Sequence, residues 1–394
     1  MILSKILDAV MDQRGDFEFL EFRVGKRKDD YSFARIRVDG RSQDHLGSML
    51  REVIRLGATV EETPEVEYEP APRDGVLPDD FYSTTNHPTS VYLGGEWVEV
   101  MDLMMDKQVI VEPGKPRAYC KPIGQVVRGD LVVVGDKGVR IKPPERPREG
   151  VGAFEFMNSD VSSEKPSSAI IREVAVSLHE TALKGGKIVV VAGPAVIHTG
   201  GGPYLARMVE LGYVDALLSG NALAVHDVEY ALFGTSLGVR LDQVGGVKQP
   251  RNHIAAINEV MRAGSLRALV GGGLLRSGVF HQLIVRGVPF VLAGSIRDDG
   301  PLPEVVTSSS EAQMLYREVV KDADYVLMLA STLHSIAVGN MLASDVKTVC
   351  VDINPAVVTK LSDRGTSQAI GLVTDVGAFL PLLVGELESL SGVR

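Results

Sequence analysis

Two cysteines among 394 residues, Cys120 and Cys350, stand far apart and outside any C-x-x-C spacing. A disulfide framework and a thiolate metal site are both excluded by that count. Cys350 lies in the apolar run KTVCVDIN, where a free buried thiol is expected, and a reducing, cytosolic compartment fits. Positive charge is also short: 41 Lys and Arg against 51 Asp and Glu give a net charge of −10. The basic run GKRK, Gly25–Lys28, reads as a solvated turn, so nucleic acid is not an expected partner. No segment reaches the roughly 20 uninterrupted apolar residues of a membrane-spanning helix. The amphipathic start MILSKILDAVMDQRGDF is too short and too charged for a signal peptide.

Several chemical signatures are missing as well. There is no H-x-x-x-H, H-x-H or Cys/His cluster, so no metal is expected. Without a G-x-S-x-G elbow or a G-x-x-x-x-G-K-[ST] loop, serine-hydrolase and nucleoside-triphosphatase readings lose their support. What remains is the composition of a globular protein, 45% hydrophobic and 23% charged, with 41 glycines for tight turns. The length allows two or three domains.

Three zones differ in texture. Residues 1–64 carry two alternating stretches, DFEFLEFRVG and YSFARIRVDG, followed by SQDHLGSMLREVIRLGAT. The last places Leu46, Met49, Leu50, Val53 and Ile54 on one helical face, giving a small α+β unit of ferredoxin-like or ACT-like pattern. Residues 65–148 are proline-rich, with the short runs SVYLGG, KQVIVE, DLVVVGD and GVRIKP between turns, and predict a compact, barrel-like β element. KPPERPREG then reads as a linker.

From 149 to 394 continuous apolar runs take over: KIVVVAG, VDALLSG, RALVGGG, VPFVLAG, ADYVLMLA and KTVCVDIN. Helical periodicity fills the gaps, in PYLARMVELG, HIAAINEVMRAG and EAQMLYREVV. Apolar strands alternating with helices predict a doubly wound, mostly parallel sheet, Rossmann-like in class.

In such a sheet ligands gather at the carboxyl ends of the strands. Small and polar residues crowd those ends here. VVVAG is followed by Pro194, His198, Thr199, Gly200, Gly201 and Gly202, and ALLSG by Asn221, His226 and Asp227. VLAG leads to Ser295, Arg297, Asp298, Asp299 and Gly300; VLMLA to Ser331, Thr332 and His334; VCVD to Asn354 and Pro355. Tight βα turns favour such residues in any α/β protein. Five at successive strand ends describe a polar crevice suited to a dinucleotide pyrophosphate, although the first loop lacks the G-x-G-x-x-G spacing. Asp352, at a strand tip, either accepts the two hydroxyls of a ribose, which favours NAD over NADP, or caps the helix that follows. Upstream, FEFMNSDVSSEKPSSAIIREVAVSLHE offers Ser162 and Ser163 as caps with Pro166 in the first turn, holding Glu164 and Lys165 at a helix start.

Long strings carry a resemblance: FYSTTNHPTSV, FEFMNSDVSSEKP, VVVAGPAVIHTGG, YVDALLSGNALAVHDVE, VPFVLAGSIRDDGPLPEV, LASTLHSIAVGN and VCVDINPAVVTKLSDRG. Together they resemble the LOR/SDH family, which includes archaeal-type ornithine cyclodeaminases. The resemblance implies a C-terminal domain like the NAD-binding fold of deoxyhypusine synthase. It also implies conversion of L-ornithine to L-proline and ammonia, with NAD as a catalytic hydride carrier. The alternatives are an NAD-dependent oxidoreductase of lysine/saccharopine type and a non-catalytic nucleotide- or amino-acid-sensing module.

On this reading the cofactor belongs with Asn158, Ser162, Ser163, Gly193, Pro194, Gly200, Gly201, Gly202, Gly220, Asn221, Ala222, Gly294, Ser295, Ser331, Thr332, Asp352 and Asn354. The acid–base and charged candidates are Glu164, Lys165, His226, Asp227, Arg297, Asp298, Asp299 and His334. Ser83, Thr84, Thr85 and Asn86 are expected to hydrogen-bond the amino-acid substrate. A homo-oligomer, dimer or tetramer, is expected, with neither nucleic acid nor membrane as partner.

Overall fold

A computed structural model describes residues 2–25, 32–59, 64–112, 114–142, 167–237, 239–240, 252–363 and 369–392. The chain forms two compact units, Met1–Gly152 with Ala343–Asp345, and Ala153–Leu342 with Val346–Arg394.

The first unit opens with α1 (Ile2–Asp12), the antiparallel pair β1 (Asp16–Arg23) and β2 (Phe33–Asp39), and α2 (Gln43–Arg55). Alternation in both strands puts Phe17, Ile36 and Val38 against Ile6, Val10, Met49 and Val53 of the helices. Ser42 starts α2 by accepting a hydrogen bond from the His45 N–H. Seven strands follow: β3 (Tyr68–Pro70), β4 (Thr89–Leu93), β5 (Glu96–Met101), β6 (Gln108–Glu112), β7 (Arg117–Lys121), β8 (Leu131–Val133) and β9 (Val139–Ile141). They form one sheet in the order β3-β8-β6-β7-β5-β4-β9, antiparallel except for the β5–β7 pair. Gly94 and Gly95, both at positive φ, turn β4 into β5, and the Glu65 carboxylate accepts both of their N–H groups. Cys120, which forms no disulfide, is buried in the core of this sheet with Val91, Val109 and Val133.

The second unit begins at α3 (Ser167–Leu183). Its elements are β10 (Ile188–Ala192), α4 (Ala195–His198), α5 (Gly202–Glu210), β11 (Ala216–Gly220), α6 (Asn221–Phe233), β12 (Thr235–Ser236) and β13 (Val239–Arg240). Then come α7 (Asn252–Ala263), α8 (Leu266–Gly271), α9 (Val279–Arg286), β14 (Phe290–Ala293), β15 (Val305–Val306), α10 (Ser309–Val320) and β16 (Tyr325–Leu329). The chain closes with α11 (Thr332–Gly339), β17 (Lys347–Asp352), α12 (Pro355–Asp363), β18 (Ile370–Val373) and α13 (Val376–Ser391).

The sheet runs β15-β14-β11-β10-β16-β17-β18, with every pairing parallel. β10 and β16 are buried along their whole length, which is why their sequences are continuous rather than alternating apolar runs. From β10 the chain builds outward on one side through β11, β14 and β15. It then returns and builds on the other side through β16, β17 and β18. The order therefore reverses between β10 and β16, and a crevice opens at their carboxyl ends.

One apolar run departs from expectation. RALVGGG is not a strand but part of α8, started by Ser265, whose hydroxyl accepts from the Ala268 N–H. Its buried positions, Leu266 and Leu269, are three apart, a helical spacing, and its glycines stop the helix rather than turn a strand. The short β15 and the edge strand β18 complete the sheet from segments with weaker patterns.

Candidate active site at the strand ends

Glycine permits the crevice to close tightly at its centre. A Cβ on Gly193 would lie 2.0 Å from the Ala330 carbonyl oxygen, so the loops after β10 and β16 touch backbone to backbone. The Gly193 N–H donates to the Leu329 carbonyl at 2.9 Å and extends the pairing one residue past the strands. Gly200, at φ 81°, turns the chain from α4 toward α5 with open space where a side chain would stand.

Three of the helices that start at this edge share a second property. α5 begins after Gly201, α6 after Gly220 and α11 after Ser331, and none of the three has a side-chain cap. Other helices of the unit are capped: Ser265, Ser308, Asn354 and Asp375 cap α8, α10, α12 and α13 with their side chains. First-turn N–H groups without a side-chain cap stand at the positive ends of these helix dipoles; in α5 Pro203 has no N–H and the Tyr204 N–H bonds back to Gly201, so Gly202 is the free donor there.

His334 stands between the starts of α6 and α11. Its Nδ1 is 2.8 Å from the Ser331 hydroxyl, and its Nε2 has no hydrogen-bond partner among the described residues. Its ring reaches from α11 across to the end of β11, where a Cβ on Gly220 would lie 3.0 Å from the ring's Cε1. Tyr316 of α10 flanks the ring at 6.1 Å between centroids, and its hydroxyl donates to the Ser219 carbonyl at 2.6 Å. Burial pushes the His334 imidazole below its usual pKa, and the Asp298 charge works the other way.

The loop after β14 is folded on itself. The Asp298 carboxylate accepts both the N–H and the hydroxyl of Ser295, while Arg297 and Asp299 are exposed. Asp299 reaches His253 at 3.6 Å. Asn221 fastens the far end of this loop, donating to the Gly300 carbonyl and accepting from the Leu302 N–H. The Asn221 carboxamide is therefore engaged by this loop on both its oxygen and its nitrogen. At the tip of β17, Asp352 Oδ1 accepts from the Asn354 N–H, and Asn354 in turn caps α12 through Ala356. The capping role once open to Asp352 belongs to Asn354. Gly294 pairs with the Val306 carbonyl, Thr332 is exposed at the first turn of α11, and Pro194 precedes α4.

Two expected acid–base residues have other tasks. Asp227 is 1% exposed, and its oxygens accept the Val279 and Phe280 N–H groups at 2.9 and 2.8 Å. It caps α9 from across the fold, in the space left by the missing side chain of Gly278. Burial raises its pKa to about 6 against the pull of those two N–H groups. Both of its oxygens are thus engaged by the start of α9, beside a pocket that Gly202 and Pro203 also line.

His226 belongs to a buried network that includes residues with no signal of their own in the sequence. Its Nδ1 donates to Glu229 at 2.9 Å, and Glu229, fully buried, also accepts from Thr235 Oγ1 and the Leu237 N–H. The ring of His198 packs edge-on against His226 at 4.6 Å, with its Nδ1 2.6 Å from Ser236 Oγ. Asn252 closes the network on Thr235. Burial and the neighbouring His226 push His198 down to about 4, with Glu229 opposing. The only hint was HDVE inside a helix flanked by apolar residues on every side.

In the first unit, the Thr84 hydroxyl accepts from the Lys107 N–H and donates to the Met104 carbonyl, so it holds its own loop. Ser83 bridges to Gln108, Thr85 Oγ1 accepts from the His87 N–H, and the Asn86 carbonyl accepts from the Ser344 N–H. Asn158, Ser162, Ser163, Glu164 and Lys165 lie outside the described residues. No group of three or more potential metal ligands occurs among the described residues, and no described helix is long and apolar enough to cross a membrane.

Comparisons with known proteins agree with this architecture. The family described as arginine dihydrolase ArgZ-like, C-terminal, Rossmann fold matches residues 172–383, and its first region matches 88–171. Residues 1–87 match the LOR/SDH bifunctional enzyme conserved region. A protein of Methanothermobacter thermautotrophicus named ornithine cyclodeaminase is 54% identical, covering 100% of this chain and 96% of its own. The crystal structure of an LOR/SDH protein from Methanococcus maripaludis is 53% identical, covers 83% of this chain and 99% of that one, and superposes with a TM-score of 0.79. The ternary complex of AgrE with ornithine and NAD+ is 41% identical, covers 100% of this chain and 56% of that one, and has a TM-score of 0.57. The chain belongs to the LOR/SDH family with the ArgZ-like C-terminal Rossmann domain.

Proposed function

We propose that this protein is an ornithine cyclodeaminase, converting L-ornithine to L-proline and ammonia with NAD as a recycled hydride carrier. The observation that carries the reading is the set of three helix N-termini without side-chain caps in the loops around the topological switch point, of which α6 and α11 meet through Gly220 and His334, an arrangement that suits a dinucleotide pyrophosphate. The relatives named for this activity, and the AgrE complex with ornithine and NAD+, support the same chemistry. A bound NAD would supply a recycled acceptor and donor of hydride for the substrate carbon, so that no net reduction accumulates.

The protein's own part is to bind, orient and move protons. Backbone N–H groups at Gly201, Gly202, Asn221, Ala222 and Thr332 hold the pyrophosphate. Asp352, buried at the tip of β17, keeps a second carboxylate oxygen for a ribose hydroxyl. His334, kept uncharged by burial, faces the reacting end and exchanges a proton with the substrate amines at Nε2. Arg297 offers the cation for the substrate carboxylate. Incubating the protein with L-ornithine and catalytic NAD tests the reading: proline and ammonia form in equal amounts with no net NADH. Accumulation of NADH points instead to an amino-acid dehydrogenase, and NAD binding with no product refutes the substrate assignment.

A further inference from the structure

We infer that Ser331 is a positioning residue that fixes His334 as its Nδ1–H tautomer, leaving Nε2 as the atom that takes and returns a proton. The inference rests on the cyclodeaminase reading for the identity of the proton donor, a substrate ammonium group.

Ser331 occupies the N-cap of α11, with extended backbone angles of φ −139° and ψ 93°. Serine is among the best residues there because its hydroxyl normally accepts a first-turn N–H. This one does not cap. Its oxygen turns to the imidazole of His334, the third residue of the helix, at 2.8 Å. A cap residue that leaves its helix uncapped to hold a histidine has a task other than starting the helix.

The rest of the ring's surroundings serve the same orientation. Gly220 lacks the side chain that would meet Cε1 at 3.0 Å and Nε2 at 3.2 Å. Tyr316 of α10 lies along one side and is itself pinned to Ser219 by its hydroxyl. The charged group acting on the ring is Asp298, from the loop after β14. The direction of the Ser331 bond follows from the proton cycle. An imidazolium has N–H on both nitrogens, so Nδ1 must then donate. If Ser331 accepts from Nδ1–H in the neutral ring as well, Nε2 gains and loses its proton with no rearrangement. One proton passes from a substrate ammonium to Nε2 and is given back to the nitrogen that departs as ammonia, so the ring ends each turnover neutral.

Ser331→Ala, Ser331→Thr and Ser331→Asp test this. We expect Ser331→Ala to lower kcat by about tenfold with KM unchanged, to move the acid limb of its pH profile, and to leave the melting temperature and its rise with NAD as in the wild type. Ser331→Thr restores the rate. Ser331→Asp, a stronger cap, raises the melting temperature yet remains slow. In the cofactor-free protein, 15N-histidine NMR should report a protonated Nδ1 and a bare Nε2 for His334, and a tautomer mixture in Ser331→Ala. Wild-type kcat and pH profile in Ser331→Ala would overturn the inference, as would a rate loss matched by a fall in melting temperature. A protonated Nε2 in the neutral wild-type ring would do the same. If the wild type binds NAD but does not convert ornithine, the cyclodeaminase reading fails and the proton assignment falls with it, while the tautomer measurement still decides the positioning.

Discussion

Replacing Gly193 by alanine is the sharpest perturbation the strand-end geometry offers. The new Cβ would lie 2.0 Å from the Ala330 carbonyl oxygen, 2.9 Å from its carbon and 3.1 Å from the Ser331 Cα. All three are backbone atoms, so no side chain can swing aside. Ordinary contact distances require the two loops to part by about 1 Å. Overpacking of this kind costs about 1–3 kcal/mol, and losing the Gly193 N–H to Leu329 bond adds about 1 kcal/mol. In a unit of this size the sum, about 2–4 kcal/mol, lowers the melting temperature by about 5–15 °C. Because the moved loops lead into α5 and α11, NAD should also bind at least about tenfold more weakly. Thermal unfolding with and without NAD, followed by circular dichroism and a calorimetric titration, reads both effects. A variant with wild-type melting temperature and wild-type NAD affinity would refute the claim that these loops are locked at contact.

Four further outcomes are expected. Gly220→Ala, at a φ of −96° open to any residue, should fold normally yet reduce turnover, because its Cβ displaces the His334 ring; unchanged kcat would remove His334 from the reacting end. Glu229→Ala should destabilise the second unit by about 3–5 kcal/mol by orphaning its buried donors, measurable by urea unfolding. His198 is held near 4 when folded and titrates near 6.5 when unfolded, so the unfolded chain takes the proton first. Stability should be level above about 6.5 and fall as pH drops toward 4; His198→Gln should flatten that fall, and a variant with the wild-type slope would assign it elsewhere. Asp352→Ala should narrow the preference for NAD over NADP, read as the ratio of kcat/KM values, if the carboxylate repels a 2′-phosphate.

The sheet was legible because strands buried on both faces must be continuously apolar, and β10 and β16 are. RALVGGG misled for a related reason. A short apolar run carries no period until its ends are read, and Ser265 at its start signals a helix. The crevice was visible as a set of polar loops, but the division of labour within it was not. Ser331 and His334 are three residues apart and their contact is helical in spacing, so it can be read locally. His198 meets Ser236 across 38 residues, and Asp227 meets Phe280 across 53, which only the packed fold brings together. For the same reason Asp227 looked like an acid at a strand end when its carboxylate points into the start of another helix.

The bare starts of α5, α6 and α11 have a thermodynamic consequence for the protein in use. Helices whose starts carry no side-chain cap are left incomplete by the chain itself, and an anion bound at them finishes what the chain leaves open. The cofactor then acts as a structural part, so the folded population should track its concentration, rising as RT ln(1 + [NAD]/Kd). A cell short of NAD would hold this protein in its least durable form, and turnover by proteases would follow cofactor supply.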